Sequence, residues 1–145
     1  MFRIATQLAV ALVLLGALTA CVEQEPGVEK FFGVWAIDVP LSVEEAAKSD
    51  HFAHLSRDAI AADIQKHAGQ MKVELNKADF ISHLGASHVA MPYELMAYDG
   101  DTATLRITVG GTPDEVKLTM IGKWHMNMKF ASTPTYDHCI WQKIQ

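Results

Sequence analysis

The stretch of sequence that decides the fold is residues 99–130, DGDTATLRITVGGTPDEVKLTMIGKWHMNMKF. Within it, apolar side chains alternate with polar ones in three runs, and a glycine-containing turn signal precedes each run. The runs are residues 103–109, 116–120 and 124–130, and the turn signals are Asp99-Gly100, Gly110-Gly111 and Gly122-Lys123. Because a two-residue period places alternate side chains on one face of a strand, the stretch predicts three consecutive antiparallel strands joined by hairpins.

Strand-like segments continue on both sides of this stretch. They are residues 71–75, 80–84 and 88–98, with a first strand at residues 31–39 and a last, less regular one at residues 136–144. Pro92, in the longest run, marks an edge, a bulge or the start of a strand. Eight short strands with tight turns predict an antiparallel meander. We therefore expect an α+β, mainly β fold, in which the meander forms a small barrel or a strongly curved sheet.

One helical stretch follows the first strand. Ser42-Val43-Glu44-Glu45 has the spacing of a capping box and predicts the helix start. Ser49-Asp50 marks a break, and Gly69 predicts the helix end. On a helical wheel, the side chains predicted to be buried are Phe52, Leu55, Ala59, Ile60, Ala62 and Ile64. Asp63 and His67 fall inside this apolar sector, where they could form a structural ion pair or serve as acid and base.

Length, charge and missing motifs exclude several classes of function. The chain has 145 residues, half of them hydrophobic, which suits one compact domain. Its net charge of −5 leaves no basic surplus, so nucleic acid is not an expected partner. The sequence contains no nucleophile-elbow and no phosphate-cradling motif. We therefore predict neither an enzymatic activity nor a cofactor.

The N-terminus has the form of an export signal. Arg3 precedes an uncharged apolar run at residues 8–18, which is shorter than the ~20 residues that a membrane-spanning helix needs. The run ends in Leu18-Thr19-Ala20-Cys21, which resembles the lipobox of bacterial lipoproteins. The resemblance implies that residues 1–20 are a signal peptide, that cleavage occurs before Cys21, and that the Cys21 thiol becomes a thioether to diacylglycerol.

The same resemblance implies a location. Val22 occupies the position at which an Asp commonly retains Gram-negative lipoproteins at the inner membrane, so Val22 implies the periplasmic face of the outer membrane. Residues 21–30 are predicted to be a lipidated polar tether, which makes the membrane an expected partner, and residues 31–145 are predicted to be a single domain. With Cys21 lipidated, Cys139 has no intramolecular partner. It is expected to be a buried inert thiol or, alternatively, a reactive or intermolecularly bonded one.

A second resemblance concerns the first strand. Gly33-Val34-Trp35 resembles the Gly-x-Trp signature of lipocalin-like (calycin) barrels. The resemblance implies an eight-stranded barrel with Trp35 packed across its closed end. The helical stretch departs from typical lipocalins, because it follows the first strand instead of the barrel. An open sheet wrapped on the helix, as in cystatin-like folds, is the alternative.

The segment Trp124-His125-Met126-Asn127-Met128 carries candidate metal ligands. It is similar to the Met-x-Met ligand sets of periplasmic Cu(I) carriers with small barrels, and thioether sulfur suits Cu(I). Strand alternation places Trp124, Met126 and Met128 on one face and His125 on the other. The alternative is that the side chains of the first face pack in the core in register with Phe130, since methionine fills irregular gaps in cores.

Two histidines form a second candidate metal site. His51 and His54 are three residues apart on the polar side of the predicted helix. Two imidazoles at this spacing can coordinate a divalent ion. A catalytic zinc site needs a third protein ligand, for which Asp50 and Asp58 are the local candidates. The alternative is a solvated helix face.

The leading functional expectation is a lipid-anchored envelope binding protein that holds a small apolar ligand or docks on an envelope protein partner. One alternative is a periplasmic copper-handling protein that uses Met126, Met128 and a histidine. Another alternative is a structural envelope lipoprotein without a pocket. A cavity inside the barrel would favour the binding protein over the structural one.

Overall fold

The structure is a computed structural model that describes residues 27–145. The predicted signal peptide (residues 1–20), the lipidation site Cys21 and Val22 lie outside the described residues. The strands are β1 (Gly33–Ile37), β2 (Met71–Leu75), β3 (Asp79–Leu84), β4 (Ser87–Tyr98), β5 (Thr102–Val109), β6 (Thr112–Ile121), β7 (His125–Phe130) and β8 (Ile140–Lys143). The helices are α1 (Val39–Ala46), α2 (Arg57–Ala68) and short 3₁₀ helices at Val28–Phe31, Asp50–Phe52 and Pro134–Tyr136.

The eight strands form a closed antiparallel barrel in which each strand pairs with its neighbours in sequence. β1 closes the barrel by pairing with β8, which places Ile37 opposite Trp141. Pro92, which has no N–H to donate, lies where β4 stops pairing with β3 and begins to pair with β5. The expected mainly β meander is confirmed, and it takes the form of the barrel and not of the open sheet.

The barrel interior is filled by the apolar side chains that strand alternation predicts to be buried. Met126 and Met128 are fully buried, and Met128 lies opposite the equally buried Leu118. An interior filled by side chains is typical of a barrel of eight strands. The buried residues of the strands are Trp35, Ile37, Val73, Leu75, Phe80, Met91, Ala103, Leu105, Ile107, Val116, Leu118, Met126, Met128, Ile140 and Trp141.

The N-terminal 3₁₀ helix closes one end of the barrel. Its Val28 and Phe31 are buried, and Trp35 next to them is fully buried. The Trp35 indole N–H donates to the Phe31 carbonyl at 2.8 Å. Trp35 therefore has the position that the Gly-x-Trp resemblance implies. Because Val28 packs in the core, the folded domain includes the last part of the predicted tether at residues 21–30.

Gly33, the first residue of the Gly-x-Trp signature, lies at a position that requires glycine. Its φ of 130° lies in a region that side chains rarely adopt. A Cβ at this position would collide with the Gln145 carbonyl oxygen. Glycine thus lets the C-terminus lie against β1, where the Val34 N–H donates to the same Gln145 oxygen at 2.9 Å.

α1 follows β1 at the opposite end of the barrel, and it starts earlier than the capping-box pattern predicts. Asp38 is the N-cap, with Oδ1 accepting from the Leu41 N–H at 3.0 Å. Ser42 lies inside the helix, fully buried, and its Oγ accepts from the Ile140 N–H at 2.8 Å. The prediction of a helix start at Ser42 is therefore wrong, because Asp38 caps the helix and the Ser42 hydroxyl bonds to β8.

α2 is capped by Ser56, whose Oγ accepts from the Ala59 N–H at 3.2 Å, and it ends before Gly69 as predicted. Ile60 and Ile64 are buried against the barrel. Three residues predicted as buried are exposed: Leu55, Ala59 and Ala62. Leu55 lies in the non-helical link before α2, to which the wheel does not apply. Within α2 the buried face is limited to Ile60 and Ile64, and Ala59 and Ala62 lie outside it. None of the described helices is long and apolar enough to cross a membrane.

Trp124 lies in the turn between β6 and β7 and not in a strand. Its side chain is 53% exposed, so the prediction that it shares a face with Met126 and Met128 is wrong. The Trp124 carbonyl accepts from the Lys143 N–H at 2.8 Å. The turn is therefore one residue longer than Gly122-Lys123 suggests, and β7 starts only at the next residue.

Candidate functional site: a groove beside the helices

A groove of about 680 Å³ lies on the surface between the α1–α2 connection and the β7–β8 connection. This volume is within the range of small-molecule sites. The helical side contributes Glu45, Ser49, His51, Phe52 and Asp63, and the strand side contributes Lys129, Pro134, Thr135, Asp137 and His138. A smaller pocket of about 320 Å³ adjoins the groove and shares Lys129, Pro134 and Asp137 with it.

Ring contacts join the two sides of the groove. The Phe52 ring meets His138 edge-on, with centroids 4.6 Å apart, and His51 packs edge-on against Phe52 at 4.8 Å. A further edge-on contact, at 5.5 Å, joins His67 of α2 to Tyr136 of the β7–β8 connection. These contacts hold the groove in place before anything binds.

The backbone of the strand side is fixed by Asn127 of β7. Its Nδ2 donates to the Asp137 carbonyl at 2.8 Å and to the Cys139 carbonyl at 3.2 Å. The Asp137 side chain, in contrast, has a buried Oδ1 with no hydrogen-bond partner among the described residues. A buried carboxylate oxygen without a donor is costly.

Carboxylates outnumber cations around the groove. The lining carries Glu45, Asp63 and Asp137 against one lysine, Lys129, and Glu45 is already paired with Lys48 at 3.0 Å. Burial lowers the pKa of His138 below its ordinary value of 6.5, and the carboxylates of Asp63 and Asp137 oppose this effect. His138 is therefore mostly neutral at pH 7, with one ring nitrogen as donor and the other as acceptor. This balance favours a ligand with a positive charge or several N–H donors.

The groove lining offers hydrogen bonding but no activated nucleophile. Cys139, next to His138 in the chain, is buried, and burial raises the pKa of its thiol to about 12, which agrees with the expected inert thiol. The Ser49 hydroxyl already accepts from the His51 N–H at 3.2 Å. Within residues 27–145, no group of three or more His, Cys, Asp and Glu side chains is arranged to hold a metal ion.

The structure separates the four candidate metal ligands. Met126 and Met128 are fully buried inside the barrel, where Met126 lies opposite Trp141. His51 and His54 are exposed outside the barrel, and of the two, His51 lines the groove. The two sulfur atoms and the two imidazoles therefore do not meet at one site.

Asp63 and His67 do not pair as the sequence predicts. The Nδ1 atom of His67 lies 2.9 Å from the backbone oxygen of Asp63, one helical turn earlier, and not at its carboxylate. The Asp63 side chain is exposed and lines the groove instead. The inward placement on the helical wheel is wrong for Asp63, because the buried face of α2 is limited to Ile60 and Ile64.

Sequence reasoning missed Phe52, Asp137 and His138 as site residues. His51 was predicted as a candidate metal ligand and Asp63 as a candidate partner of His67, but no sequence pattern placed the two residues in one site. His138 has no local signal, because it reaches the groove only when the closing barrel brings the start of β8 beside α1. The contact that makes the site thus joins residues far apart in the chain.

Comparison with protein-family models, with curated proteins and with solved structures finds no match. The fold and the groove define a class of protein in structural terms. It is a small, closed, eight-stranded antiparallel β-barrel, consistent with a lipocalin-like barrel. A groove lined by both polar and apolar groups lies at the end that carries the helices.

Proposed function

We propose that this chain is a lipid-anchored envelope binding protein whose ligand lies in the groove between His51 and His138. The observation that carries the proposal is the groove itself, which has the volume of a small-molecule site and is lined by convergent polar groups. The barrel interior is a less suitable place for a ligand, because side chains such as Leu105 and Met128 fill it. The ligand is therefore assigned to the outer surface.

The lining specifies a chemical class of ligand. The carboxylates of Asp63 and Asp137 favour an ammonium, an amidine or another group rich in N–H donors. Phe52 offers an aromatic surface to an apolar portion or to a cation. The proposed ligand is thus a small, partly apolar organic cation, and not a purely apolar molecule.

Two sequence features support the rest of the proposal. The lipobox ending at Cys21 supports a lipid anchor, and Val22 supports the periplasmic face of the outer membrane. A lipocalin-like identity of the barrel is supported by the position of Trp35 at its closed end. Binding without chemical conversion is proposed, because the groove lining carries no activated nucleophile.

Native mass spectrometry of the protein purified from its envelope tests both the lipid anchor and the bound ligand. We expect a chain that begins at Cys21 and carries a lipid, together with a bound small molecule. Asp63→Asn should lose the bound molecule, because it removes a groove carboxylate, and Asp58→Asn on the same helix is the matched control. Cys21→Ser should abolish the lipid mass and membrane association.

The experiment tests the groove and the lipid anchor separately. If the wild type carries no bound molecule, or if Asp63→Asn and His51→Ala both retain it, the groove is not the binding site. A pocket-free structural lipoprotein is then the better account. A Cys21→Ser protein that is still processed and partitions with membranes contradicts the anchor.

A further inference from the structure

The turn between β6 and β7 presents apolar side chains to solvent at the closed end of the barrel. Trp124 is 53% exposed and Ile121 is 46% exposed. Ile144, also 46% exposed, follows Lys143, whose backbone N–H bonds to the Trp124 carbonyl. We call the patch formed by Ile121, Lys123, Trp124 and Ile144 the Trp124 face.

A cation accompanies the aromatic ring of this face. The Lys123 ammonium lies 4.8 Å from the centre of the Trp124 ring. An indole with a lysine beside it is typical of protein surfaces at a membrane–water interface. The ring lies among the lipid headgroups, and the lysine extends its ammonium toward water and phosphate.

The described chain begins at the same end of the barrel. Lys143, next to the Trp124 face, donates from Nζ to the Lys30 carbonyl at 3.5 Å, so the N-terminal 3₁₀ helix adjoins the face. Residues 22–26 separate Cys21 from Gly27, where the described chain starts, and these six residue-to-residue steps reach about 20 Å when fully extended. A lipid on Cys21 would therefore hold the Trp124 face close to the bilayer.

We infer that the Trp124 face is a second membrane contact, which docks on the phospholipid surface beside the lipid anchor. The inference rests on the proposed anchor and deepens it by giving the domain an orientation. Lys30 is paired with Asp101 at 3.0 Å, so docking depends on inserted apolar side chains more than on anionic lipid. The groove, at the far end of the barrel, then faces away from the membrane.

The opposite end of the barrel provides an internal control. It also carries exposed apolar residues, Leu84, Val89 and Val109, at the tips of the β3–β4 and β5–β6 hairpins. None of these three is aromatic, and the described chain, which starts at Gly27, does not begin at that end. Val89→Ser therefore removes a comparable exposed apolar side chain without touching the Trp124 face.

Quenching of tryptophan fluorescence by lipid bromine atoms tests the inference. The chain has three tryptophans, and Trp35 and Trp141 are fully buried inside the barrel. Bromine at the headgroup end of the acyl chains thus reports on Trp124. In vesicles of brominated phosphatidylcholine, the lipidated protein that begins at Cys21 should lose most of its Trp124 emission. Trp124→Ser should abolish the quenching, Ile121→Ser should reduce it, and Val89→Ser should leave it unchanged.

Vesicle flotation and the mass of the Cys21 peptide report on the anchor separately. Protein that floats with the vesicles but keeps unquenched Trp124 emission overturns the second contact and leaves the anchor intact. Quenching by protein whose Cys21 carries no lipid supports the second contact and refutes the anchor. Unquenched Trp124 emission in the vesicle-bound wild type, or a loss of quenching in Val89→Ser equal to that in Ile121→Ser, would show that docking does not depend on the Trp124 face, and the inference would be wrong.

Discussion

Two buried tryptophans with different hydrogen bonding show what single residues contribute to this barrel. Trp35 and Trp141 are both fully buried. The Trp35 indole N–H donates to the Phe31 carbonyl at 2.8 Å, whereas the Trp141 indole N–H has no partner among the described residues. Phenylalanine keeps an aromatic ring at either position, so comparing the two Phe variants tests the buried hydrogen bond that Trp35 has and Trp141 lacks.

We expect Trp35→Phe to destabilise the domain by about 1–3 kcal/mol more than Trp141→Phe. The first change leaves the Phe31 carbonyl unpaired, and the second removes an unpaired donor. Trp35→Ala, which also deletes the ring, should cost ~3–5 kcal/mol. Equilibrium unfolding in urea measures the three differences, and an equal cost for both Phe variants would contradict the hydrogen-bond assignment.

His138 should make stability depend on pH. Because its folded-state pKa lies below the ordinary value of 6.5, the unfolded chain binds a proton more readily than the folded one. The free energy of unfolding should be highest above pH 6.5 and should fall as the pH drops through the folded pKa. His138→Gln should flatten this decline, and the exposed His54 provides the control variant His54→Gln. Unfolding curves recorded between about pH 7.5 and about pH 5 measure this dependence. If the free energy of unfolding fell equally with pH in both variants, His138 would not be the group responsible.

Met126 and Met128 distinguish core packing from copper binding. As fully buried side chains, they should resist oxidation by peroxide until the protein unfolds. Replacing both with Leu should change stability by no more than ~1.5 kcal/mol each. Titration with Cu(I) against a competing chelator tests the alternative. Submicromolar binding in the wild type that disappears in the double variant would overturn the core assignment.

At the level of elements, hydrogen bonds of Ser42 and of the cap residue Asp38 couple α1 to the barrel. The Ser42 Oγ accepts from the Ile140 N–H at 2.8 Å and lies 3.3 Å from the Ile140 carbonyl. Asp38, the cap of α1, also accepts from His125 Nε2 of β7 at 3.2 Å. The helical side of the groove is thus tied to β7 and β8, which support its strand side.

Ser42→Ala should cost about 1–3 kcal/mol, because it leaves the buried Ile140 N–H unpaired. Ser56→Ala, which removes the cap of α2 on the surface, should cost ~1 kcal/mol. Thermal unfolding of the two variants gives the comparison. If Ser42→Ala were the milder change, the hydroxyl bridge between α1 and β8 would not be a stabilising contact.

The strands could be predicted from the sequence far better than the helices or the groove. Alternation over residues 103–109 and 116–120 depends only on local chemistry, and barrel closure preserves it. The start of α1 could not be predicted, because the Ser42 hydroxyl accepts a hydrogen bond from β8 and does not cap the helix. Trp124 continued an alternating pattern but lies in a turn, and His138 joins the groove through a contact formed only when the barrel closes.

At the scale of the whole molecule, the two ends of the barrel carry different features. The closed end carries Trp35, the N-terminal 3₁₀ helix and the Trp124 face, and the proposed anchor emerges there. The other end carries α1, α2 and the groove. In the proposed orientation the ligand site faces away from the membrane, where a small molecule or a partner protein can reach it.

A crystal structure of the protein purified from its own envelope, with its co-purified ligand, tests the central claim most directly. The account predicts ligand density in the groove between His51 and His138, with an N–H or ammonium group near the Asp137 carboxylate. It predicts a barrel interior filled only by side chains. Ligand density among Leu105, Met126 and Met128 inside the barrel, with an empty groove, would contradict it.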